Sequence, residues 1–388
     1  MTVRNQVDLR HHNIRALQRT LLYEGPTGRR ALGLLTNLVP SAITSLSREL
    51  LARGVVSEVE AATNVKRTSA GRPPVLLQLN NASYVAVAAE IGVRFVRLGL
   101  IGLLGEPLHT EFHEIPEGES PQNVIALVRG YINRQQTHCK TEGLEMMGIG
   151  VSIPASVNPE TGSITEPGGV HWQGVNFKAA FNEITSPVYA ENNVNLMAMG
   201  EKWYGRGRLV KSMVFVHHGP SWGCGIVLAD TGLVRGIGFG AGEIACSTVM
   251  PGGPLCTCGK RGCLQALLHS EFLTQRYRAF GGSGALPVDS TALIERRAVD
   301  PAAERTLQEA LGYLGIALGN LVRILEPELL VLNGRPLLTA DSVQSHLTAA
   351  IRSVVAPRRL YTSVKRSSFG AHQALIGCAA SVFQDTVF

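Results

Sequence analysis

The amino-acid sequence predicts an α/β protein in which a small, basic helical module precedes a larger body made of two α/β lobes. Its 388 residues are too many for one ordinary hydrophobic core, which favours several domains. Residues 1–80 carry 11 Lys and Arg against 5 Asp and Glu, whereas residues 81–388 carry 25 of each, so the net charge of +6 lies in the first segment. Two strand–glycine turn–strand patterns, at residues 84–104 and 213–237, indicate a duplicated body around a cleft.

The basic module shows the pattern of three short helices followed by a β-hairpin. The first helix is predicted to begin at Asn13, the second at Thr27, and the third to end at Gly54. The apolar stripes predicted to face inward are Ile14, Leu17, Leu21 and Leu22, then Ala31, Leu34, Leu35 and Leu38, then Ile43, Leu46, Leu50 and Leu51. Strands are predicted near residues 55–59 and at residues 75–79. This arrangement is typical of a winged helix-turn-helix.

The third predicted helix carries short hydrogen-bonding side chains and one arginine on its outward face, which suits the major groove of DNA. Ser47 is placed on this face as well. The residues predicted to contact DNA are Ser41, Ala42, Thr44, Ser45 and Arg48 in the helix, with Lys66, Arg67 and Arg72 in the hairpin tip. Arg72 could enter a minor groove, where a narrow A·T tract concentrates negative potential. The alternatives are a solvated basic surface and a three-helix interaction domain that binds no nucleic acid.

The body contains a polar cluster at the end of a predicted strand, in the stretch "PVYAENNVNLMAMGEKWYG". Polar groups at the carboxyl end of a strand point into the crevice of an open α/β sheet, so Asn192 and Asn193 are candidate ligand-binding residues. Turn chemistry and a helix cap would explain the same cluster. The first lobe is expected at about residues 81–190 together with a C-terminal helix, and the second at about residues 191–367.

The stretch "PGGPLCTCGKRGCLQ" places Cys256, Cys258 and Cys263 within eight positions, which suggests either a disulfide or a metal site. The N-terminus lacks the apolar core of a signal peptide, and no run of about 18 apolar residues is free of charges and turn signals, so no membrane span is predicted. A cytoplasmic protein is therefore expected, in which thiols stay reduced, and this favours a metal. The remaining cysteines, Cys139, Cys224 and Cys378, are expected to be small core residues.

The longer stretch "GIGFGAGEIACSTVMPGGPLCTCGKRGCLQ" resembles the signature of the ROK family of repressors, open reading frames and kinases. In that family G-E-x-G-H is followed by C-x-C-G-x-x-G-C-x-E. The resemblance runs from about residue 10 to the end and is to regulators of the NagC/XylR/Mlc type. It implies a winged helix-turn-helix at residues 1–80 and a two-lobed, actin-like body of duplicated ribonuclease H-like folds at residues 81–388.

The resemblance also implies a structural zinc ion. The family binds it with the His of the first element and the three later cysteines. Here Cys246 stands at the His position, so the implied Zn2+ ligands are Cys246, Cys256, Cys258 and Cys263. The alternative is that three of these residues or none bind a metal, with Cys246 merely buried.

The family's sugar contacts correspond here to Asn192, Asn193, Glu243, Cys246 and Gln265. Asn193 stands where the kinases of the family have the Asp that removes a proton from the sugar hydroxyl, and an amide cannot serve as a general base. The kinases' D-x-G-G-T phosphate hairpin is replaced by "EIGVR", and a later glycine-rich motif has become "VLNGRPL". Phosphoryl transfer is therefore not expected. The cleft is expected to bind a sugar or sugar derivative, or, as the alternative, no ligand.

These resemblances together predict a DNA-binding transcriptional regulator that is not an enzyme. It is expected to repress carbohydrate-uptake or catabolism genes and to be released by its sugar effector. Two recognition helices of a homodimer or homotetramer would bind the half-sites of a double-stranded operator. Two alternatives remain, a sugar kinase with an accessory head and a DNA-bound regulator controlled by a partner protein.

Overall fold

The computed structural model describes residues 6–60, 75–229, 232–284, 288–355 and 361–388, with side chains described from residue 9 onward. The chain forms two compact units, one made of Met1–Leu196 with Ala371–Phe388 and the other of Met197–Gly370. No helix in the described ranges is both long and apolar enough to cross a membrane.

The first unit begins with three helices and a small antiparallel sheet. The helices are α1 (Gln6–Glu24), α2 (Arg29–Thr36) and α3 (Pro40–Ala52). The sheet has the order β1-β3-β2 and consists of β1 (Thr27–Gly28), β2 (Val56–Glu60) and β3 (Val75–Leu79). The predicted strand at residues 75–79 is confirmed, and the strand predicted near residues 55–59 is confirmed with a shift of one residue.

The predicted starts of the first two helices are wrong. Asn13 lies inside α1, which runs back to Gln6, so it caps nothing. The N-cap of α2 is Gly28, whereas Thr27 pairs with Leu77 in the small sheet. Asn13 and Thr27 are both residue types that often cap helices. The amphipathic pattern of α1 continues through Asn13, however, and Thr27 belongs to a strand pair.

The predicted inward faces are confirmed for α1 and for most of α3 but not for α2. The predicted stripe of α1 is buried throughout, and so are Ile43, Leu46 and Leu50 of α3. In α2 the buried residue is Leu32, while Leu34 and Leu35 are 75% and 52% exposed. A helix of eight residues has too few turns for its apolar period to fix which face is buried. Ser47, predicted to face outward, is fully buried.

A five-stranded sheet forms the core of the remaining first unit. Its order is β10-β7-β4-β5-β6, in which β10, β7 and β4 are parallel and β4, β5 and β6 are antiparallel. The strands are β4 (Tyr84–Ile91), β5 (Phe95–Gly102), β6 (Pro107–Glu114), β7 (Glu145–Ile153) and β10 (Val188–Asn192). A hairpin of β8 (Ser156–Asn158) and β9 (Ser163–Glu166) and the helices α4 (Pro121–Glu142) and α5 (Phe177–Ala180) complete this part.

The second unit contains a sheet with the same strand order and directions as the first. It reads β15-β14-β11-β12-β13, with β15, β14 and β11 parallel and β11, β12 and β13 antiparallel. The strands are β11 (Met213–His218), β12 (Trp222–Leu228), β13 (Gly232–Val234), β14 (Leu329–Gly334) and β15 (Ser363–Arg366). The repeated topology confirms the predicted duplication and is that of actin-like α/β proteins.

The helices of the second unit pack on one another and share a hydrophobic core with its sheet. They are α7 (Leu264–Leu267), α8 (Ser270–Ala279), α9 (Ser290–Arg296), α10 (Pro301–Leu325), α11 (Pro336–Thr339) and α12 (Asp341–Val354). The helix α6 (Asn193–Tyr204) contains the point where the chain leaves the first unit.

The C-terminal helix α13 (Gln373–Thr386) packs against β4 and β7 of the first sheet. Its packing needs small residues, because a Cβ atom at Gly150 of β7 would lie 2.6 Å from the Cβ of Cys378. All residues from Gln373 to Ala380 are buried, which explains why this helix reads as a nearly continuous apolar stretch.

Candidate functional sites

The four cysteines implied as metal ligands come together on one loop of the second unit. Cys246 ends a short 3-10 helix, Cys256 and Cys258 lie in the loop that follows, and Cys263 is the N-cap of α7. The Sγ atoms of Cys246, Cys256 and Cys258 all lie within 4.8 Å of one another, and the Sγ atoms of Cys258 and Cys263 are 3.6 Å apart. All four are free thiols, so the cluster could hold a metal ion.

The loop backbone brings these sulfur atoms together through a close approach at Gly262. This residue has φ +73°, and a Cβ atom there would lie 1.6 Å from the Met250 carbonyl oxygen. The Gly262 carbonyl in turn accepts hydrogen bonds from the N–H groups of Val249 and Met250. The glycine before the last cysteine is therefore required by the fold of the loop.

The electrostatic surroundings of the cluster differ from one thiol to the next. A hydrogen bond from the Lys260 backbone N–H lowers the pKa of Cys258 to about 7. Burial raises the pKa of Cys246 to about 11 and that of Cys263 to about 12. The Lys260 ammonium donates to the Cys246 carbonyl oxygen at 2.8 Å, and the Cys263 Sγ atom lies 3.7 Å from the same oxygen.

Of the two candidate ligand residues of the first unit, Asn192 already forms several hydrogen bonds within the protein. The Asn192 Oδ1 atom accepts hydrogen bonds from the N–H groups of Val194 and Asn195, and its Nδ2 atom donates to the Ala155 carbonyl oxygen. Asn192 therefore caps the first turn of α6, as the alternative interpretation held. It keeps one amide hydrogen for a ligand. Asn193 follows it, half-buried, at the start of α6.

The candidate ligand residues of the second unit flank the cysteine loop. Glu243 is exposed and immediately precedes the 3-10 helix that ends at Cys246. Gln265 lies two residues after Cys263, on α7, and its Oε1 atom accepts a hydrogen bond from the Ser221 hydroxyl at 3.2 Å. The loop that could hold a metal therefore also fixes the backbone on which both residues stand.

The counterpart of the first phosphate hairpin contains a buried ion pair that the sequence interpretation missed. Glu90 on β4 lies opposite Arg97 on β5, and an Arg97 Nη1 hydrogen bond joins the guanidinium to the Glu90 carboxylate. The same nitrogen donates to the Ala371 carbonyl oxygen at 2.6 Å. Burial raises the pKa of the Glu90 carboxyl, although the Arg97 charge opposes that rise. A signal was available, because two residues equally far from the turn of a hairpin face each other.

The turn between β11 and β12, in the second sheet, is filled by stacked rings. The rings of His218 and Trp222 are parallel to within 12°, with centroids 3.8 Å apart, and both residues are buried. Burial lowers the pKa of His218 to about 3, so its imidazole is neutral at ordinary pH. The neighbouring His217 Nδ1 atom is 2.7 Å from Asn333 Oδ1, in the stretch that replaces the family's later glycine-rich motif.

The residues predicted to contact DNA from the third helix share one surface of α3. Ser41, Thr44, Ser45 and Arg48 are exposed, and Ala42 is half-buried. The Thr44 hydroxyl donates to the Pro40 carbonyl oxygen at 2.9 Å. The three predicted hairpin-tip residues, Lys66, Arg67 and Arg72, lie outside the described residues.

Comparisons with known proteins match this architecture. A xylose repressor from Caldicellulosiruptor bescii is 25% identical over 398 residues, which cover 98% of this chain and 98% of the repressor. A crystal structure of a ROK family transcriptional regulator, a homologue of the E. coli MLC protein, aligns with a TM-score of 0.77 and 24% identity over 97% of this chain and 96% of that one. A ROK hexokinase from Thermus thermophilus, 27% identical with a TM-score of 0.65, covers 78% of this chain and 98% of its own. The sequence model of the ROK family matches residues 86–385, and the chain therefore belongs to the ROK family.

Proposed function

We propose that this protein is a transcriptional repressor whose DNA binding responds to a sugar or sugar derivative. The observation that carries the proposal is the extent of the similarity to the xylose repressor, which covers 98% of this chain and thus includes the basic head. The family model alone begins at residue 86, after the head. The genes concerned would serve the uptake or catabolism of the effector.

The head, at residues 1–80, is proposed to be a winged helix-turn-helix with α3 as its recognition helix. Three helices and a small antiparallel sheet supply the elements of this motif. The exposed Ser41 and Ser45 hydroxyl groups of α3 can donate to or accept from base edges, and Arg48 can bind a phosphate or a guanine. In a dimer, two such helices would face half-sites of a pseudo-palindromic operator, assisted by Lys66, Arg67 and Arg72 from the wing.

The body at residues 81–388 is proposed to bind the effector, and the residues proposed to contact it are Asn192, Asn193, Glu243 and Gln265. Carboxylate and amide groups are suited to the hydroxyl groups of a sugar, since each can take part in at least one hydrogen bond with them. The sugar would regulate DNA binding only through its different affinities for the two states of the protein. Glu243 is the one charged group among the four and should contribute most to the binding of the effector.

The body is proposed to lack kinase activity. Asn193 cannot accept the proton of a sugar hydroxyl, and the Glu90 carboxylate is held in an ion pair with Arg97. Because the hexokinase similarity covers 78% of this chain, kinase activity has to be measured directly. Incubation with radiolabelled ATP and a panel of sugars should give no sugar phosphate above the level of a protein-free control. ATP-dependent phosphorylation at a rate that depends on Glu243 would contradict the proposal.

The four-cysteine cluster is proposed to bind one structural Zn2+ ion. Four thiolates form a standard closed zinc site, and the ion would stabilise the loop that carries Glu243 and Gln265. Elemental analysis should find about one zinc per chain, and Cys256→Ser should lose it. Cys139→Ser, a substitution at a buried cysteine on α4, is the matched control and should keep the metal. Equal zinc content in both variants would exclude the site.

The regulatory proposal can be tested with the full-length protein. A thermal-shift and calorimetric screen against xylose, hexoses, N-acetyl sugars and sugar phosphates should find one class of compound that binds. Glu243→Ala should abolish that binding, whereas Glu295→Ala, an exposed glutamate on α9, should not. The compound should then weaken binding to DNA in an electrophoretic mobility assay.

Two outcomes would change this view. A compound that saturates the protein and leaves its DNA affinity unchanged would refute sugar control. If no compound of the panel binds while the protein still binds DNA, control by a partner protein would be favoured. A pull-down from cell extract with the purified protein would identify that partner.

A further inference from the structure

Val39 breaks a local rule at the start of α3. It is the N-cap residue of this helix, and no side chain caps the helix. Ser, Thr, Asp and Asn are preferred at this position because their oxygen atoms accept a hydrogen bond from a first-turn N–H group. Burial does not compensate for the missing cap, since Val39 is 62% exposed. A residue that lowers the stability of its helix, with no packing contact to compensate, is a candidate for a functional contact.

The surroundings of Val39 are those of a base-reading surface. The first residues of a recognition helix face base edges in the major groove. Ser41, Thr44 and Ser45 are exposed in the same part of α3. The proton of the Thr44 hydroxyl is used on the Pro40 carbonyl oxygen, so that hydroxyl can only accept from a base. One isopropyl group therefore stands beside several hydrogen-bonding groups.

We propose that the side chain of Val39 contacts the C5-methyl group of a thymine and so selects thymine at one position of each operator half-site. This inference rests on the proposed DNA-binding function. The thymine methyl is the apolar group that bases present in the major groove, and apolar side chains recognise it. A serine or asparagine cap at this position would offer no such contact.

A second copy of the chain is the other candidate partner for this exposed valine, but the positive charge of the head argues against it. Residues 1–80 carry a net charge of +6, and Arg48 is exposed on the same helix. Two such surfaces would repel each other, whereas the phosphates of DNA attract them. Charge complementarity therefore favours DNA.

The test compares thymine with deoxyuridine, which differs only by lacking the methyl group. An operator is first selected from random DNA with the full-length protein, and each thymine is then replaced singly by deoxyuridine. At one position per half-site the wild-type protein should bind about fourfold more weakly, the factor that corresponds to about 0.8 kcal/mol for one buried methyl group. In Val39→Ser this penalty should vanish, and the variant should bind the thymine operator about as weakly as the wild type binds the deoxyuridine operator.

Serine is chosen so that a loss of stability cannot explain weaker DNA binding by the variant. Serine is a better N-cap than valine, so the variant should unfold at the same temperature as the wild type or higher. Leu34→Ser, at a residue of α2 that is 75% exposed, is the matched control and should keep the full deoxyuridine penalty.

Three results would overturn the inference. If every thymine tolerates deoxyuridine, no methyl group is read. If the penalty is equally large in Val39→Ser, another residue reads it. If the selection recovers no DNA at all, the proposed function fails, and this inference fails with it.

Discussion

Arg97→Met should destabilise the protein in a way that depends on pH. Arg97 and Glu90 form an ion pair in which the side chains are 18% and 9% exposed. Removing one partner of a buried pair typically costs about 3–5 kcal/mol, because the other charge is left without compensation. The partial exposure of Arg97 places the expected loss near about 3 kcal/mol at alkaline pH. The guanidinium carbon of Arg97 lies 5.1 Å from the centre of the Phe95 ring and 5.5 Å from that of the Phe112 ring, and a methionine can replace this cation–π contact with a sulfur–aromatic one.

The pH dependence follows from the Glu90 carboxyl. Its pKa is already raised by burial in the wild type, and loss of the Arg97 charge should raise it further. The folded variant then holds a proton that the unfolded chain releases, so its stability falls as the pH rises from the unfolded pKa towards the folded one. Each pH unit in that range costs up to about 1.4 kcal/mol. The difference between variant and wild type should therefore be small near about pH 5 and large near about pH 8.

Chemical denaturation followed by circular dichroism at both pH values measures this difference. The double variant Glu90→Gln/Arg97→Met is the control, because an amide does not ionise and its loss should not change with pH. A loss for Arg97→Met that is equal at both pH values would refute the argument. It would show that the hydrogen bond to the Ala371 carbonyl, which costs about 1 kcal/mol to lose, is the whole contribution of Arg97.

Three further perturbations test other parts of the description. Asn192→Ala removes the cap of α6 and should lower the free energy of unfolding by about 1–2 kcal/mol, measured by denaturation, while Asn192→Asp should lose less. Gly377→Ala should lower the melting temperature strongly, since a Cβ atom there would lie 1.9 Å from the Leu196 carbonyl oxygen; Gly312→Ala, with no atom within 4 Å of its Cβ, should raise it slightly. Lys66→Gln should reduce the salt dependence of DNA affinity by about one unit of slope without changing sequence preference, and an unchanged slope would remove Lys66 from the interface.

Features that depend on a local sequence pattern could be predicted from the sequence. The buried face of a short helix could not, because too few residues define it. The two hairpins of the body follow from the strand–glycine turn–strand patterns, and the clustering of Cys246 with the three later cysteines was implied by the resemblance to the family signature. The face of α2 could not be predicted, because Leu32 and Leu35 fit an inward stripe equally well over two turns. Burial of Ser47 was equally hidden, since a small hydroxyl residue on a short helix fits either face.

The sequence predicted which residues belong to the candidate ligand site, but not which of their hydrogen-bonding atoms are already used within the protein. The composition of "AENNVN" is the same whether Asn192 binds a sugar or caps a helix, and the structure uses both of its amide atoms locally. The Glu90–Arg97 pair was missed for a different reason. The motif "EIGVR" includes Glu90 but not Arg97, whereas the pairing of the two residues comes from the hairpin register.

The helix α13 offers a physical route between the body and the head. At its start Arg97 binds the carbonyl of Ala371, where the chain re-enters the first unit, and at its end Arg15 of α1 donates to the Asp385 carbonyl oxygen at 2.8 Å. Between these two bonds the helix is buried and packed on Leu196 through Gly377, so it cannot bend without opening cavities or exposing apolar surface. A displacement at Ala371 would therefore reach α1 rather than be absorbed on the way.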